Sequence, residues 1–208
     1  MMKKCEEFFK VNKPKFLFGI TDVKQLKEKE NVLDFAFVGK SNVGKSSLIN
    51  AITNSKISIS SKTPGRTREI NFFSIADKIN FVDMPGYGFA LATEQQKYEW
   101  RKLIYDYISN SKNLNIVFIL VDCRKGLGTE DLDFINLLDE LKTEYRIVLT
   151  KIDCINKNEL QNIITKTINE LNNRKSANKD VFTISSSKGY GLFELRDFIY
   201  QTYLKTKR

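Results

Sequence analysis

The stretch Gly39-Lys40-Ser41-Asn42-Val43-Gly44-Lys45-Ser46 decides the fold of this chain. Its spacing matches G-x-x-x-x-G-K-[ST], the loop with which many proteins wrap nucleotide phosphates. The apolar run at residues 34–39 is typical of a buried strand, and the run at residues 45–53 is typical of a helix. Because strand, loop and helix follow in the order that the motif needs, we interpret it as a phosphate-binding loop rather than a chance glycine-rich turn.

The residue types of this loop suit an anionic ligand. Gly39 and Gly44 allow tight turns that point successive backbone N–H groups at one anion, and the helix N-terminus adds partial positive charge. We expect Lys45 to act as a catalytic residue at the β- and γ-phosphates, and the Ser46 hydroxyl to bind Mg²⁺. The remaining loop residues complete the predicted nucleotide contacts: Lys40, Ser41, Asn42 and Val43.

Composition limits the classes of protein to consider. A length of 208 residues favours one domain, and Cys5, Cys123 and Cys154 lack the spacing of a disulfide framework or a zinc site. The chain has no histidine, which excludes an imidazole base and a histidine-bound metal. The longest apolar run, residues 116–121, is too short to span a bilayer, and no apolar signal-peptide core follows Met1. We predict a cytoplasmic protein without membrane contact, and we further expect a monomer.

Strand-like and helix-like segments alternate from residue 34 onward. The alternation predicts an α/β fold with a mostly parallel six-stranded sheet, one antiparallel edge strand and helices on both faces. Only three residues separate the strands at 70–75 and 79–83, too few for a crossover helix, so we expect an antiparallel hairpin at the sheet edge. The other predicted strands are residues 34–39, 115–122, 146–150 and 181–184, and the predicted helices are residues 45–53, 96–109, 131–142, 157–172 and 192–203.

A second motif, Asp83-Met84-Pro85-Gly86, stands at the end of a predicted strand and matches D-x-x-G. In that motif the aspartate holds Mg²⁺ through water, and the glycine N–H reaches the γ-phosphate. We therefore predict nucleotide contacts from all four residues and a catalytic role for Gly86. Taken alone, a strand that ends in a Pro-Gly turn would be the simpler interpretation.

A third motif, Thr150-Lys151-Ile152-Asp153, also stands at a strand end and matches [NT]-K-x-D. The Asp153 carboxylate can accept hydrogen bonds from guanine N1–H and N2–H₂, whereas adenine has no donor at those positions. A site of this kind rejects the wrong base strongly, because mispairing leaves a buried polar group unsatisfied. After the last strand, Ser185, Ser186 and Ser187 are expected to meet the guanine O6 through backbone N–H groups.

Together these motifs predict a GTP-binding protein, since all of them fall at the carboxyl ends of strands, where parallel α/β sheets bind ligands. We expect the polar loop before Ile70 to be a switch, ordered with GTP and loose with GDP. Thr67 of this loop would bind Mg²⁺ only when a γ-phosphate is present, and we count it as catalytic. The other predicted nucleotide contacts in the loop are Gly65, Arg66, Arg68 and Glu69.

Longer stretches of the sequence resemble the EngB family of bacterial ribosome-biogenesis GTPases. They are residues 39–50, 63–68, 70–73 and 81–90. The likeness runs from about Phe16 to the C-terminus. The chain departs from the family at Phe89, where tyrosine is usual, at Leu91, where lysine is usual, and in the plain serine segment at 185–187.

The resemblance implies one GTPase (G) domain at residues 34–208, with residues 1–33 as an N-terminal extension packed on it or beside it. It implies slow, Mg²⁺-dependent GTP hydrolysis and assembly of the large ribosomal subunit, with a role in septation during cell division. The implied partners are GTP, GDP, ribosomal RNA and ribosomal protein. The net charge of +9 permits RNA contact, although a solvated lysine-rich surface would also explain it.

Two other functions are compatible with parts of this sequence. One is a GTP-dependent interaction switch for division proteins, without direct contact with RNA or the ribosome. The other is a nucleotide kinase with a phosphate loop, which is disfavoured because residues 83–86 and 150–153 would have no role in it.

Hydrolysis has no obvious side-chain base in this chain. Tyr87 follows Gly86, at the place where many GTPases have the glutamine that orients water. Turnover is therefore expected to be slow and to depend on positioning and charge neutralisation. Arg66 and Arg68 could supply positive charge, although a basic loop that faces solvent or RNA is slightly favoured. Asn42 resembles an asparagine that binds K⁺ in relatives, with a plain turn residue as an equal alternative.

Overall fold

The computed structural model describes residues 2–57, 69–87 and 93–206. Within those residues the chain forms seven strands and six α-helices. The strands are β1 (Lys15–Ile20), β2 (Leu33–Gly39), β3 (Ile70–Ile75), β4 (Ile79–Asp83), β5 (Leu114–Asp122), β6 (Tyr145–Thr150) and β7 (Ala177–Ile184). The helices are α1 (Met2–Val11), α2 (Lys45–Thr53), α3 (Glu94–Asn110), α4 (Thr129–Glu140), α5 (Lys157–Leu171) and α6 (Leu192–Lys205).

One sheet contains all of these strands, in the order β1-β3-β4-β2-β5-β6-β7. β4, β2, β5, β6 and β7 run parallel, and β3 runs antiparallel to both of its neighbours. β2 and β6 are buried along almost their whole length, as expected of strands that helices cover on both faces. The predicted α/β fold with a mostly parallel sheet is confirmed.

The edge of the sheet differs from the prediction. β3 and β4 form the expected antiparallel hairpin, with Asn71 opposite Asp83 and Ile75 opposite Ile79. This hairpin is not at the edge, because β1 pairs antiparallel with β3, so that the sheet has seven strands rather than the predicted six. Within β1 only Ile20 is buried, so the segment lacks the apolar signal by which the central strands are recognised.

The helices divide between the two faces of the sheet. On one face, α1, α2 and α6 enclose a core that includes Cys5, and the Phe8 ring of α1 lies 5.7 Å from the Tyr203 ring of α6. Buried Arg196 of α6 donates hydrogen bonds of 2.8 Å to two carbonyls in the last turn of α2. On the other face, α3, α4 and α5 cover a second core that includes Tyr107. Helices on both faces are therefore confirmed.

The carboxyl ends of the central strands meet at one edge of the sheet. Asp83 ends β4 beside Phe37 of β2, and Gly39 ends β2 beside Leu120 of β5. Asp122 at the end of β5 lies opposite Thr150 at the end of β6. The motifs singled out from the sequence follow these strand ends, so the fold brings them to the same edge.

Candidate nucleotide-binding site

The phosphate loop turns sharply between β2 and α2. A side chain at Gly39 would place its Cβ 2.6 Å from the Leu120 carbonyl oxygen, so only glycine fits against β5 there. Asn42 and Gly44 take left-handed backbone conformations, with φ of 63° and 108°. The Val43 N–H donates to the Lys40 carbonyl across the turn, at 3.1 Å. The loop thus folds back on itself, and α2 begins at Lys45.

The start of α2 offers polar groups to an anion. Its N-cap residue is Gly44, which has no side chain to cap the N–H groups of the first turn. The dipole of the helix adds partial positive charge at the same end. Among the residues that the structure describes, the buried Ser41 hydroxyl oxygen has no hydrogen-bond partner, so a polar ligand of this loop could satisfy it.

The lysine of the loop lies against the aspartate of the D-x-x-G turn. Lys45 Nζ, at the start of α2, forms a hydrogen-bonded ion pair with Asp83 Oδ1 at the end of β4. Both side chains are largely buried, with exposed fractions of 13% and 7%. The next residue along the helix is Ser46. The fold therefore brings a predicted phosphate ligand and two predicted Mg²⁺ ligands to one place.

The rest of the D-x-x-G turn follows the phosphate loop closely. Met84 is buried, and its N–H donates to the Phe37 carbonyl of β2 at 3.0 Å. A Cβ at Gly86 would lie 3.0 Å from the Gly39 carbonyl oxygen and 3.4 Å from the Ser41 nitrogen. This approach is close enough that a larger residue would push the turn away from the loop.

The third motif is joined to the phosphate loop by its first two residues. The Thr150 hydroxyl donates to the Val43 carbonyl at 2.7 Å. Lys151, in a left-handed conformation with φ of 59°, donates from Nζ to the Asn42 carbonyl at 2.7 Å and to Asp122 Oδ2 at 3.0 Å. The lysine side chain therefore spans from β6 to the phosphate loop.

Asp122 is a site residue that the sequence reading missed. Arg124 donates to its two carboxylate oxygens, from Nε at 2.9 Å and from a terminal nitrogen at 2.6 Å. The hydrogen bonds from Arg124, and then those from Lys151, hold the pKa of Asp122 far below its usual range. Asp122 is thus a fixed anion that anchors Lys151. The signal in the sequence was an aspartate at the end of the apolar run at 116–121.

Asp153 lies beside the serine segment, as their shared edge of the sheet would suggest. Asp153 is exposed in the short 3-10 helix Ile152–Cys154, and its Oδ2 accepts a hydrogen bond of 3.2 Å from the Ser187 hydroxyl. Hydrogen bonding by the hydroxyls of Ser185 and Ser187 lowers the pKa of Asp153. The carboxylate is therefore ionised at neutral pH and can accept hydrogen bonds from a ligand.

A second missed residue is Asp131, near the start of α4. Its buried carboxylate accepts hydrogen bonds of 2.8 Å from the Tyr87 hydroxyl and from the Gly128 N–H. Lys40 of the phosphate loop forms an ion pair with the same carboxylate at 3.1 Å, and another with Glu130 at 3.3 Å. Nothing local in the sequence indicates this cluster, because Asp131 and Tyr87 are 44 residues apart.

Part of the predicted site lies outside the described residues. Gly65, Arg66, Thr67 and Arg68 belong to that part, so the predicted γ-phosphate switch stays a prediction. Glu69, the last residue of the predicted loop, is described and is exposed.

The side chains of this site suit a metal ion that is bound mainly by phosphates and water. Within residues 2–57, 69–87 and 93–206, no group of three or more histidine, cysteine, aspartate or glutamate side chains could hold a metal ion. An all-protein cage is not what Mg²⁺ needs, since this ion commonly takes one or two side-chain oxygens together with phosphates and waters. The Ser46 hydroxyl and the Asp83 carboxylate are hard oxygen ligands of that kind. Among the helices of the described residues, none has both the length and the apolar character of a membrane-spanning segment.

Comparisons with known protein families agree with this geometry. The profile of the family described as "50S ribosome-binding GTPase" matches residues 34–151, and that of "Elongation factor Tu GTP binding domain" matches residues 100–205. The "Probable GTP-binding protein EngB" of Hyphomonas neptunium is 41% identical in an alignment of 188 residues that covers 88% of this chain and 85% of that protein. The protein of the same name from Sinorhizobium fredii is 40% identical in an alignment of 196 residues that covers 89% of this chain and 90% of that protein.

Solved structures of other proteins are similar to this chain in fold. A crystal structure of a probable GTP-binding protein engB has a TM-score of 0.68 and 26% identity, over 83% of this chain and 99% of that chain. A crystal structure of Era in complex with MgGDPNP and nucleotides 1506–1542 of 16S ribosomal RNA has a TM-score of 0.65 and 25% identity, over 83% of this chain and 57% of that chain.

Proposed function

Since this chain belongs to the EngB family of GTP-binding proteins, we propose that it is a GTP-driven assembly factor for the large ribosomal subunit. One observation carries the nucleotide part of the proposal. The hydrogen bond from Thr150 to Val43 ties the predicted base-reading segment to the phosphate loop, so that both ends of one nucleotide can be held at the same edge of the sheet.

Guanine selection is assigned to Asp153. Its carboxylate is ionised, exposed to a ligand and flanked by Ser187, so it can accept both of the hydrogen bonds that a guanine edge donates. The Lys151 stem crosses above Gly44, with its Cε 4.0 Å from where a glycine Cβ would be, and would pack against the base plane. Backbone N–H groups of the segment at 185–187 would meet the guanine O6.

The phosphates are assigned to the loop and to the first turn of α2. Lys45 would exchange its contact with Asp83 for the β- and γ-phosphates, and the Ser41 hydroxyl would gain a partner. Ser46, Asp83 through water and Thr67 would hold Mg²⁺, which would neutralise charge on the phosphates. A potassium ion beside Asn42 would add to that charge, although the left-handed backbone of Asn42 is also what a turn residue needs.

Hydrolysis would rely on positioning more than on proton transfer to a side chain. Burial and the neighbouring Asp131 raise the pKa of Tyr87 well above its usual value, so this hydroxyl would not serve as a base at neutral pH. The Gly86 N–H, Lys45 and the backbone of the loop would then stabilise the charge of the transition state. Slow intrinsic turnover follows from this arrangement.

The ribosomal part of the proposal rests on the family and on charge. The family profile is described as ribosome-binding, and the net charge of +9 favours partners rich in phosphate. We place the protein in the cytoplasm, as a monomer that binds ribosomal RNA and protein of the large subunit or its precursor. A need for it in septation would follow from the demand of dividing cells for ribosomes.

Co-sedimentation with purified large subunits tests this proposal. Binding should be tighter with a non-hydrolysable GTP analogue than with GDP, because only the analogue has the γ-phosphate that the predicted switch at Thr67 would bind. Binding should also fall steeply as salt rises, since contacts with RNA phosphates release counterions. Binding that depended on neither nucleotide nor salt, or no binding, would contradict the ribosomal role and favour a switch for division proteins.

A further inference from the structure

We propose that Asp131 is a positioning residue for GTP hydrolysis, because its carboxylate fixes the D-x-x-G turn against the phosphate loop. The proposal rests on the proposed GTPase function and adds a residue that touches neither phosphate nor base. We call the group formed by Asp131, Tyr87, Lys40 and Gly128 the Asp131 node.

Tyr87 is the first arm of the Asp131 node. Its hydroxyl donates to Asp131 Oδ1 at 2.8 Å, and its ring stacks on that of Phe134, with the ring centres 5.4 Å apart and the planes at 30°. Both partners belong to α4. The residue that follows the D-x-x-G motif is therefore held by a helix, at its ring and at its hydroxyl.

Lys40 is the second arm. Its Nζ lies 3.1 Å from Asp131 Oδ2, and a Cβ at Gly128 would come within 2.8 Å of the same Nζ. The glycine at the N-cap of α4 therefore makes room for the lysine. Burial opposes the charge of Lys40, but the hydrogen bonds with Asp131 and Glu130 raise its pKa, so it is a permanent cation.

The position of these two arms in the chain gives the node its role. Lys40 follows Gly39, and Tyr87 follows Gly86, whose Cα lies so near the loop that a Cβ would be 3.0 Å from the Gly39 carbonyl oxygen. The backbones of Lys40 and Tyr87 also form a parallel bridge. Lys40 and Tyr87 thus bind the same buried carboxylate of Asp131. This carboxylate holds the Gly86 N–H at a fixed distance from the phosphate loop.

The Asp131 node should stabilise the transition state of GTP hydrolysis more than it stabilises bound GDP. The Gly86 N–H is expected to face the γ-phosphate, which GDP lacks. Without the contact from Tyr87 or from Lys40, the D-x-x-G turn would adopt further positions. In some of these the Gly86 N–H would no longer lie close to the developing charge. The loss should therefore lower kcat while the affinity for GDP stays the same.

The decisive variant is Tyr87→Phe, which keeps the ring on Phe134 and removes the hydroxyl. We expect kcat for GTP to fall roughly tenfold, as the loss of a hydrogen bond to a charged acceptor implies, with GDP affinity unchanged. Tyr107→Phe is the matched control, because the Tyr107 hydroxyl donates to the buried Asp34 at 2.9 Å, near the opposite ends of the strands. Tyr107→Phe should be less stable than the parent but should hydrolyse GTP with the same kcat.

A double-mutant cycle separates positioning from general stability. If Tyr87 acts through Asp131, then Tyr87→Phe combined with Asp131→Ala, which leaves Tyr87 no acceptor, should lower kcat no more than Asp131→Ala alone. Additive losses, an unchanged kcat in Tyr87→Phe, or equal losses of kcat and GDP affinity would overturn the role of the node. If Asp131→Ala does not fold, Tyr87→Phe and its control decide the question. A parent protein that does not hydrolyse GTP would overturn the proposed function as well, whereas a parent that does, with Tyr87→Phe equal to it, would overturn the node alone.

Discussion

The hydroxyl of Thr150, at the end of β6, donates a hydrogen bond of 2.7 Å to the Val43 carbonyl in the phosphate loop. The two residues are 107 positions apart in the chain. The contact is buried and joins the two halves of the predicted nucleotide site. The hydrogen bond holds the phosphate loop in a fixed position relative to the predicted base-binding segment. The two ends of one nucleotide should therefore bind together.

The first prediction concerns this contact. Thr150→Val keeps the shape of the side chain and leaves the Val43 carbonyl without its donor, at a cost to stability of about 1–3 kcal/mol. We expect the affinity for GTP and GDP to fall roughly tenfold as the loop loosens. Thr167→Val is the control, because the Thr167 hydroxyl is also buried and donates to a carbonyl, within α5 at 2.8 Å. Equal nucleotide affinities for the two variants, measured by calorimetry, would argue against the link.

The second prediction is guanine selection by Asp153. Asp153→Asn replaces one acceptor oxygen with an N–H donor, which conflicts with the guanine N2–H₂ group and suits the C2 oxygen of xanthine. GTP affinity should fall roughly a hundredfold or more, and the affinity for xanthosine triphosphate should rise. Asp77→Asn, at the exposed turn between β3 and β4, should change neither affinity. A variant of Asp153 that binds GTP as well as the parent would remove this residue as the base reader.

The third prediction separates phosphate binding from the switch. Lys45→Ala should weaken both GTP and GDP about a hundredfold, because a desolvated charge that faces the phosphates is lost. Lys102→Ala removes the lysine of an exposed pair with Asp106 and should leave both affinities unchanged. Thr67→Ala should impair Mg²⁺-dependent hydrolysis, as Ser46→Ala should, but spare GDP binding. A loss of GDP affinity in Thr67→Ala as large as in Lys45→Ala would count against γ-phosphate sensing.

The fourth prediction concerns stability and pH. Burial raises the pKa of Asp34 to about 6, against the opposing hydrogen bonds from Asn80 and Tyr107. Because the folded pKa lies above the unfolded one, the carboxyl contributes most to stability at low pH and this contribution is lost as pH rises through about 6. Asp34→Asn does not titrate. Its stability relative to the parent in urea should therefore increase by about 1 kcal/mol between about pH 5 and about pH 7.5. If the difference in stability between Asp34→Asn and the parent does not change with pH, the pKa of Asp34 is not raised by folding.

The sequence predicted the parts of this protein that short, local patterns encode. The phosphate loop needs neighbouring glycines and a lysine at fixed spacing, and Asp83 and Thr150 end apolar runs, so each is visible within a few residues. Asp122 and Asp131 gain their roles from Lys151 and Tyr87, which reach them only in the folded sheet. No local sequence pattern predicts such contacts. β1 was missed for a related reason, because an edge strand with one buried residue has little periodicity.

Base selection and ribosome binding can be tested together in one sedimentation experiment. The parent protein and Asp153→Asn are each sedimented with purified large ribosomal subunits, in the presence of non-hydrolysable analogues of GTP or of xanthosine triphosphate. The parent should bind the particles with the guanosine analogue only, and Asp153→Asn should bind them with the xanthosine analogue only. Equal binding by both proteins with either analogue, or no binding under any of these conditions, would contradict a ribosome-directed switch that Asp153 controls through its nucleotide.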